Sequence, residues 1–292
     1  MSKGSSYWST ATGKIGNTVV SIINGQRIER AYQPNVKNPR TKSQTLQRAT
    51  FAAQVKFYKV ATANFFKFAF EDKKQTESDY NAFMRNNRGV GMVMNRTAYL
   101  NVNYPAIGNR FMLSKGSLAE PKITNVLSSL VINVTNVTES QNATIGEVST
   151  ALISNYGLQD GDIVTIVKVH SEIEDIKDEP DTPTDWTIKQ FVIDPSNTTK
   201  ASTVSIDGVA VNIEEDKITN LVTVGDDQAS GGTIIFSRKT TDGLKVSDSY
   251  LYLNDVAQTV YNDSLQTSFR NAALTSWGAT EEAILEGSLV QG

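Results

Sequence analysis

The feature that most constrains the fold is a change in the spacing of apolar residues along the chain. Between residues 41 and 70, apolar side chains recur every three or four positions without a Gly or Pro, which is the pattern of a helix buried on more than one side. From Pro121 onward, short segments alternate apolar and polar residues and are separated by turn-forming residues, which is typical of β-strands. The sequence therefore predicts an α+β protein.

A β-hairpin is predicted ahead of the long helix. Asn24-Gly25 separates two runs rich in Val and Ile, and this dipeptide suits a tight turn whose two central residues both need positive φ. Further along, Pro39 fixes its own φ and keeps Asn38 out of the helical region. We therefore expect an extended connector between the hairpin and the helix.

The long helix has a defined start. Thr41 with Gln44 three residues later matches a capping box, in which each side chain accepts a hydrogen bond from the other residue's backbone amide. The helix is predicted to run to about Phe70. A second helix, from Thr76 through Asn87, would fold back on the first and complete a helical hairpin.

Two domains are expected, with the boundary at Pro121. Residues 1–120 would form a basic hairpin and helical assembly domain. Residues 121–292 would form an acidic β-rich domain, a sandwich or barrel-like fold with a C-terminal helix over residues 265–277. Within it, Asp207-Gly208 and Asp242-Gly243 predict two further hairpins.

The two halves of the chain carry charge of opposite sign. Although the net charge is −3, residues 1–118 hold 18 Lys and Arg against 5 Asp and Glu, whereas residues 119–292 hold 10 against 26. Such asymmetry predicts either a basic surface that meets nucleic acid or halves that meet oppositely charged surfaces on neighbouring subunits. Two domains of unlike composition lying side by side are the remaining alternative.

The predicted assembly interface combines one aromatic residue with basic side chains near the hairpin and the start of the helix. Trp8 lies on an N-terminal arm and is suited to anchoring into a neighbouring subunit or to packing on its own hairpin. The basic side chains of the predicted interface are Arg27, Arg30, Lys37, Arg40, Lys42 and Arg48. The turn, the connector and the capped helix start would hold this surface in a preformed arrangement.

Residue types needed for most catalytic and metal sites are scarce. The chain has no Cys, and His170 is its one histidine, which excludes Cys-based zinc sites and Cys-His catalytic pairs. Acidic residues cluster over residues 172–181 and at Asp226-Asp227, but without the spacing of a calcium loop. We expect no enzyme, cofactor, metal or small-molecule substrate, although an Asp/Glu pair brought together by the fold stays open.

The hydropathy of the sequence is the basis for predicting where the protein is located and whether it crosses a membrane. The sequence contains no apolar run of about 18 residues, and its start lacks a hydrophobic signal segment. We therefore expect a soluble protein without a membrane segment, made in the bacterial cytoplasm.

One pattern resembles a known domain family. The pattern joins Gly13-Lys14-x-Gly16-Asn17, a short hairpin, and Val36-x-Asn38-Pro39-x-Thr41-x-x-Gln44-x-x-x-Arg48-x-x-Phe51. It resembles a domain of unassigned function found in Bacteroidetes genomes and in virion proteins of crAss-like phages. The stretch FSRKTTDGLKVSDSYL, residues 236–251, is similar to a strand pair near the end of such proteins. The resemblance implies a structural virion component and carries no catalytic residues.

The expected function is therefore that of a structural virion protein. It would form a homo-oligomeric ring in the collar or tail of a tailed bacteriophage, with the basic half of one subunit facing other virion proteins or the DNA path. Two alternatives stay open: a cell-surface or glycan-binding module, and a protein that binds DNA without sequence preference.

Overall fold

The computed structural model describes residues 12–23, 25–35, 40–63, 66–91, 93, 95–96, 110–126, 129–170, 185–224, 229–264 and 266–279. Contacts between Cα atoms group the chain into two compact units, Met1–Pro39 and Arg40–Gly292. The predicted boundary at Pro121 falls inside the second unit, and a division into two domains there stays a prediction.

Helices and strands are both present in the described residues, which confirms the predicted α+β class. The first unit contains β1 (Gly13–Ile15), β2 (Thr18–Ile23) and β3 (Gln26–Ala31). The first half of the second unit contains α1 (Lys42–Ala63), β4 (Ala69–Phe70), α2 (Asp79–Asn86), β5 (Met112–Lys115), β6 (Ile123–Val126), β7 (Ser129–Asn133) and α3 (Ile145–Tyr156). Its second half contains β8 (Ile163–His170), β9 (Asp185–Val192), β10 (Asn212–Glu214), β11 (Lys217–Thr223), β12 (Ser230–Thr240), β13 (Gly243–Val246), β14 (Ser249–Tyr250), β15 (Tyr252–Leu253), α4 (Asp255–Ser264) and α5 (Thr267–Ser276).

Most strand pairs are antiparallel. In the first unit the sheet order is β1-β2-β3. In the second unit, one sheet has the order β10-β11-β7-β6, another has the order β13-β12-β8-β9 with β15 also on β12, and a small sheet has the order β14-β5-β4. Within the small sheet, β4 and β5 run parallel.

The two larger sheets share one hydrophobic core. Leu130 and Val222 come from the sheet of β7 and β11, and Ile166 and Ile234 come from the sheet of β8 and β12. Helix α3 adds Leu152 to the same core. Two sheets packed on a common core form a β-sandwich. The apolar faces of the alternating strands are therefore buried between the two sheets.

The two larger sheets come close together at Gly232 of β12. A Cβ at Gly232 would lie 2.7 Å from Cγ1 of Val222 and 2.9 Å from Cδ1 of Leu130. No real Cβ tolerates such distances, so the missing side chain lets the two layers meet.

A second core is rich in phenylalanine. Phe57 of α1, Phe83 of α2 and Phe111 are buried together, with ring centroids of Phe57 and Phe111 4.2 Å apart. Val167 of β8 and Ile235 of β12 belong to this same cluster. The helical hairpin and the β-rich region are therefore packed on one another within the second unit.

The long helix ends earlier than predicted, at Ala63 instead of near Phe70. Phe66 and Phe68 are buried, whereas Lys67 between them is exposed. This alternation with period two belongs to a strand, and the segment leads directly into β4. The helical prediction was wrong here because the aromatic and apolar residues of this segment also match the spacing of three and four residues that is typical of a helix.

Predictions for the β-rich region were confirmed at one turn and wrong at another. The hairpin predicted at Asp242-Gly243 is present between β12 and β13, although Thr240 pairs with Gly243, so Thr241 and Asp242 form its turn. Asp207-Gly208 does not join two strands, since the hairpin nearby is β10-β11, in which Glu214 pairs with Lys217.

The C-terminal region contains two helices where the sequence predicted one over residues 265–277. Helix α5 covers most of that range, and α4 precedes it. The Oδ1 atom of Asn254 accepts a hydrogen bond from the Ala257 amide at 2.8 Å and so caps the first turn of α4. Asn254 is the sequence signal that the prediction overlooked.

Candidate interaction surface

The sheet of the first unit is built from a tight hairpin. Ile23 pairs with Gln26, and Gly25, in the turn between them, has a φ of 75°, in the left-handed region that glycine tolerates. The other member of the predicted turn, Asn24, lies outside the described residues. Strand β1 extends the hairpin to three strands, with Lys14 opposite Val19.

Basic side chains lie on both faces of this sheet. Pairing partners in a sheet share a face, so Lys14 and Arg30, which both pair with Val19, lie on one face, and Arg27 lies on the other. The Nζ atom of Lys14 is 3.7 Å from the centroid of the Tyr32 ring, a cation–π contact on that first face. On the opposite face Arg27 and Glu29 form an ion pair of 2.6 Å.

Large apolar side chains of the sheet are exposed along with the basic ones. All six residues of β3 are exposed, including Ile28 at 43%. In the described part of this unit, the exposed large apolar residues are Ile15, Ile22, Ile28 and Tyr32. Their exposure makes the sheet a candidate contact surface. The predicted interface did not include these residues, because it was drawn from charge and from Trp8 alone.

The basic residues at the start of α1 differ in their surroundings and in their exposure to solvent. The guanidinium of Arg40 lies against Gly278, directly after the last turn of α5, where a cation complements the helix dipole. Lys42 is half-buried and Arg48 is exposed. Near Arg48 on the same helix, Phe51 is 54% exposed, although its position belongs to the apolar spacing of the predicted helix.

The predicted capping box of α1 is half formed. The Thr41 hydroxyl accepts a hydrogen bond from the Gln44 amide at 3.4 Å. The Oε1 atom of Gln44 is buried without a hydrogen bond, so the reciprocal half is absent. A complete capping box occurs instead at α3, where Thr144 and Glu147 bond each other's amides.

Not every basic residue of the helical hairpin is available for a partner. The Arg85 guanidinium contacts Asp72 at 2.9 Å and Glu77 at 3.0 Å. The hydrogen bond from Arg85 lowers the pKa of the Asp72 carboxyl to about 2. Lys115 also reaches Asp72, at 3.3 Å, so this part of the basic half is neutralised locally.

Several predicted residues lie outside the part of the chain that the structure describes. They are Trp8, Asn24, Lys37, Asn38 and Pro39. The acidic clusters over residues 172–181 and at Asp226-Asp227 also lie outside it.

The described residues were also compared with what a metal site, a catalytic histidine or a membrane-spanning helix requires. No group of three or more His, Cys, Asp or Glu side chains there could hold a metal ion. His170 ends β8, where it pairs with Asp185 and Ser230 in the strand ladder. Among the described helices, none is long and apolar enough to cross a membrane.

A cavity of about 430 Å³ lies beside α3. Among the described residues, its lining includes Thr144, Thr150, Ser154 and Asn197, and no aromatic side chain. The carboxylate of Glu147, which also lines it, is held by the Thr144 amide, and this bond lowers its pKa. Among the described lining residues Glu147 is the one charged group, and the cavity gives no specific support to a glycan-binding function.

Comparison with known proteins places the chain in a family. A model described as a family of unknown function, DUF6266, matches residues 10–190, which include the whole described sheet of the first unit and both helices of the helical hairpin. No curated protein and no solved structure matches the chain. Because the match covers more than half of the sequence, the chain belongs to the DUF6266 family, a family of unknown function.

Proposed function

We propose that this chain is a structural virion protein of a tailed bacteriophage, assembling as a homo-oligomeric ring in the collar or tail and contacting neighbouring virion proteins. The observation that carries the proposal is the first unit, a basic sheet whose large apolar side chains are exposed. A surface that offers both charge and apolar area suits a protein partner, since interfaces combine an apolar centre with a polar rim.

The charge of the two units supports assembly between copies. Residues 1–39 carry a net charge of +4, and residues 40–292 carry −7. The basic sheet of one copy would therefore be attracted to acidic surface on the next. A contact between two different surfaces repeats around a closed ring when its rotation closes.

The crAss-like phage connection rests on the likeness of residues 13–51 to the family pattern. Within that stretch, the pattern residue Gly16 lies in the turn between β1 and β2 and has a positive φ of 59°. Glycine adopts this left-handed conformation at the least cost, which is a physical reason for its place in the pattern.

Mass spectrometry of phage particles purified from a producing culture tests the proposal directly. We expect the chain to be present in many copies per particle and to be labelled by specific antibody at the neck or tail. Its absence from intact particles would refute the virion role. In parallel, light scattering of the purified chain should show self-association that weakens as salt is raised.

Contact with DNA is the second candidate, favoured by Lys14 and Arg30 on one face of the sheet. Such contact would be electrostatic and independent of sequence. Fluorescence anisotropy with duplex DNA would then show binding that falls steeply between about 50 and 200 mM salt. Equal binding to unrelated sequences is expected, and no binding at low salt would exclude this role.

A further inference from the structure

Strand β9 forms one edge of the sheet that contains β8 and β12. Among the described residues, β9 pairs with β8 alone, in a register without a bulge. The Ile193 amide, directly after β9, donates a hydrogen bond of 2.7 Å to the carbonyl of Asp162 beside β8. Because backbone groups alternate in direction along a strand, Phe191 directs its own toward β8, whereas Gln190 and Val192 direct theirs toward the open edge.

The other strands of the sheet give the same phase independently. The Ser247 amide donates a hydrogen bond of 2.9 Å to the carbonyl of Phe236, so Phe236 directs its backbone groups toward β13 and Ser237 directs its own toward β8. When this alternation is followed across β8 by the pairing register, Phe191 again bonds toward β8 and Gln190 toward the open edge.

The open edge of β9 lacks the features that usually keep an edge strand from pairing. Such strands are commonly protected by a proline, by a bulge or by a lysine whose charge faces solvent. Residues 188–192 contain no proline and no bulge. Their one lysine, Lys189, donates a hydrogen bond to the carbonyl of Ser205 in the same chain. The described residues supply no hydrogen-bond partner for the outward backbone groups of this stretch.

We propose that β9 pairs antiparallel with β9 of a second copy of this chain, with the two-fold axis at Gln190. In this register the two Gln190 residues lie opposite each other, and Ile188 of each copy lies opposite Val192 of the other. All three pairs direct their backbone groups into the contact, so each pair exchanges two hydrogen bonds. The contact joins identical edges, which a two-fold axis makes self-complementary.

The side chains of β9 favour this register over its neighbours. Val192 is 50% exposed, and here a second β-branched side chain, that of Ile188, lies directly opposite it. Moving the axis to Lys189 would place two lysines opposite each other, and like charges directly opposite destabilise a sheet. Moving it to Phe191 would place Gln190 opposite Val192, so that a polar side chain faces an apolar one.

The proposal does not depend on the virion role, since it rests on a strand edge within the second unit. It also differs from the contact between basic and acidic surfaces proposed above, because it joins two identical surfaces. Both contacts can exist in one assembly, and substitutions on β9 leave the residues of the basic sheet unchanged.

Analytical ultracentrifugation of the full-length chain tests the pairing at its axis. Gln190→Glu places two carboxylates opposite each other and Gln190→Lys places two ammonium groups opposite each other, so each variant should self-associate about fivefold more weakly than the wild type. An equimolar mixture of the two should associate more strongly than either variant alone, because a carboxylate then faces an ammonium group.

Two control variants isolate the effect of charge at the axis. Gln190→Met removes the hydrogen bond that Gln190 donates to the Thr165 hydroxyl at 2.8 Å without adding charge, and it should associate at least as strongly as the wild type. Thr241→Glu adds the same charge in the exposed turn between β12 and β13, at the opposite edge of the same sheet, and should leave association unchanged. Circular dichroism checks that each variant is folded.

A single cysteine tests the register. The chain has no Cys, so Gln190→Cys introduces one thiol, and opposite residues of a hydrogen-bonded pair have Cα atoms about 5.5 Å apart, within the range of a disulfide. Mild oxidation should therefore give a covalent dimer. Val192→Cys is the matched control, because its two thiols would lie four residues apart along the strands, about 14 Å, and should not cross-link.

Three results would each overturn the pairing. They are a wild type that stays monomeric at high concentration, charged variants whose association equals that of the wild type or does not recover on mixing, and cross-linking of Gln190→Cys no greater than that of Val192→Cys. None of these results bears on whether the chain is found in particles.

Discussion

The two compact units differ in where they place their large apolar side chains. In the described part of the first unit, Val20 is the one buried residue, and isoleucines and a tyrosine are exposed on both faces of a three-stranded sheet. In the second unit, phenylalanines from helices and loops are buried together against the sheet of β8 and β12. The second unit therefore obtains its stability from its own interior, whereas the first keeps apolar surface available for contact.

The largest expected effect is a loss of stability when a buried apolar residue of the second unit is removed, compared with an exposed one of the first unit. Phe83 is fully buried, with its ring centroid 4.6 Å from that of Phe68, and Phe83→Ala should lower the free energy of unfolding by about 3–5 kcal/mol. Ile22→Ala removes an exposed side chain of the first unit and should lower it by less than about 1 kcal/mol. Urea unfolding of both variants measures the difference. Similar losses for the two variants would contradict the comparison.

A buried polar residue should give the next effect. Asn87 is fully buried, and its side chain donates to Phe83 O at 3.1 Å and accepts from the Met112 amide at 2.7 Å. Asn87→Ala leaves the buried Met112 amide without its acceptor and should cost about 2–3 kcal/mol, measured by urea unfolding. Asn86→Ala, at a half-buried neighbouring position, is the control and should cost less. An Asn87 variant as stable as its control would show that water replaces these bonds.

A smaller effect is expected at the capping box of α3. Thr144→Ala removes the acceptor for the Glu147 amide, at 3.2 Å, and should cost about 1 kcal/mol. Thr138→Ala, an exposed threonine near the same helix, serves as the control and should leave the melting temperature almost unchanged. Equal melting temperatures for all three proteins would mean that the cap contributes nothing measurable.

Local signals accounted for much of the fold. The alternation of apolar residues after Pro121 is enough to predict strands, because the buried face of a sheet needs every second residue. The end of α1 was missed for a related reason: Phe66, Phe68 and Phe70 fit either period, and the deciding factor is the pairing of β4 with β5, in which Phe70 lies opposite Lys115. The pairing of two segments so far apart in the chain cannot be recognised from the sequence of either segment alone.

The candidate surface was predictable in composition but not in arrangement. The basic residues of the first unit follow from counting charges, and the tight turn follows from Asn24-Gly25. The exposure of Ile28 does not, since an isoleucine in a strand has the same sequence pattern whether or not another layer covers it. Arg85 shows the opposite case, because its basic charge is neutralised by acids that only the fold brings to it.

The smallest expected effect on stability comes from the ion pair between Asp72 and Arg85, and it depends on pH. The pKa of Asp72 is lowered from 3.8 to about 2 by its hydrogen bond with Arg85, so the stabilisation is fully present above about pH 4 and is lost as the pH falls toward 2. Because the side chains of Asp72 and Arg85 are 30% and 39% exposed, solvent screens the pair, and we expect a smaller loss than at the α3 cap. Asp72→Asn should therefore unfold slightly more easily than the wild type at pH 6 and equally at pH 2, as urea unfolding at each pH would measure. A difference that persists unchanged at pH 2 would point to packing and not to charge. The variant thus decides whether the helical hairpin uses Arg85 for its own stability.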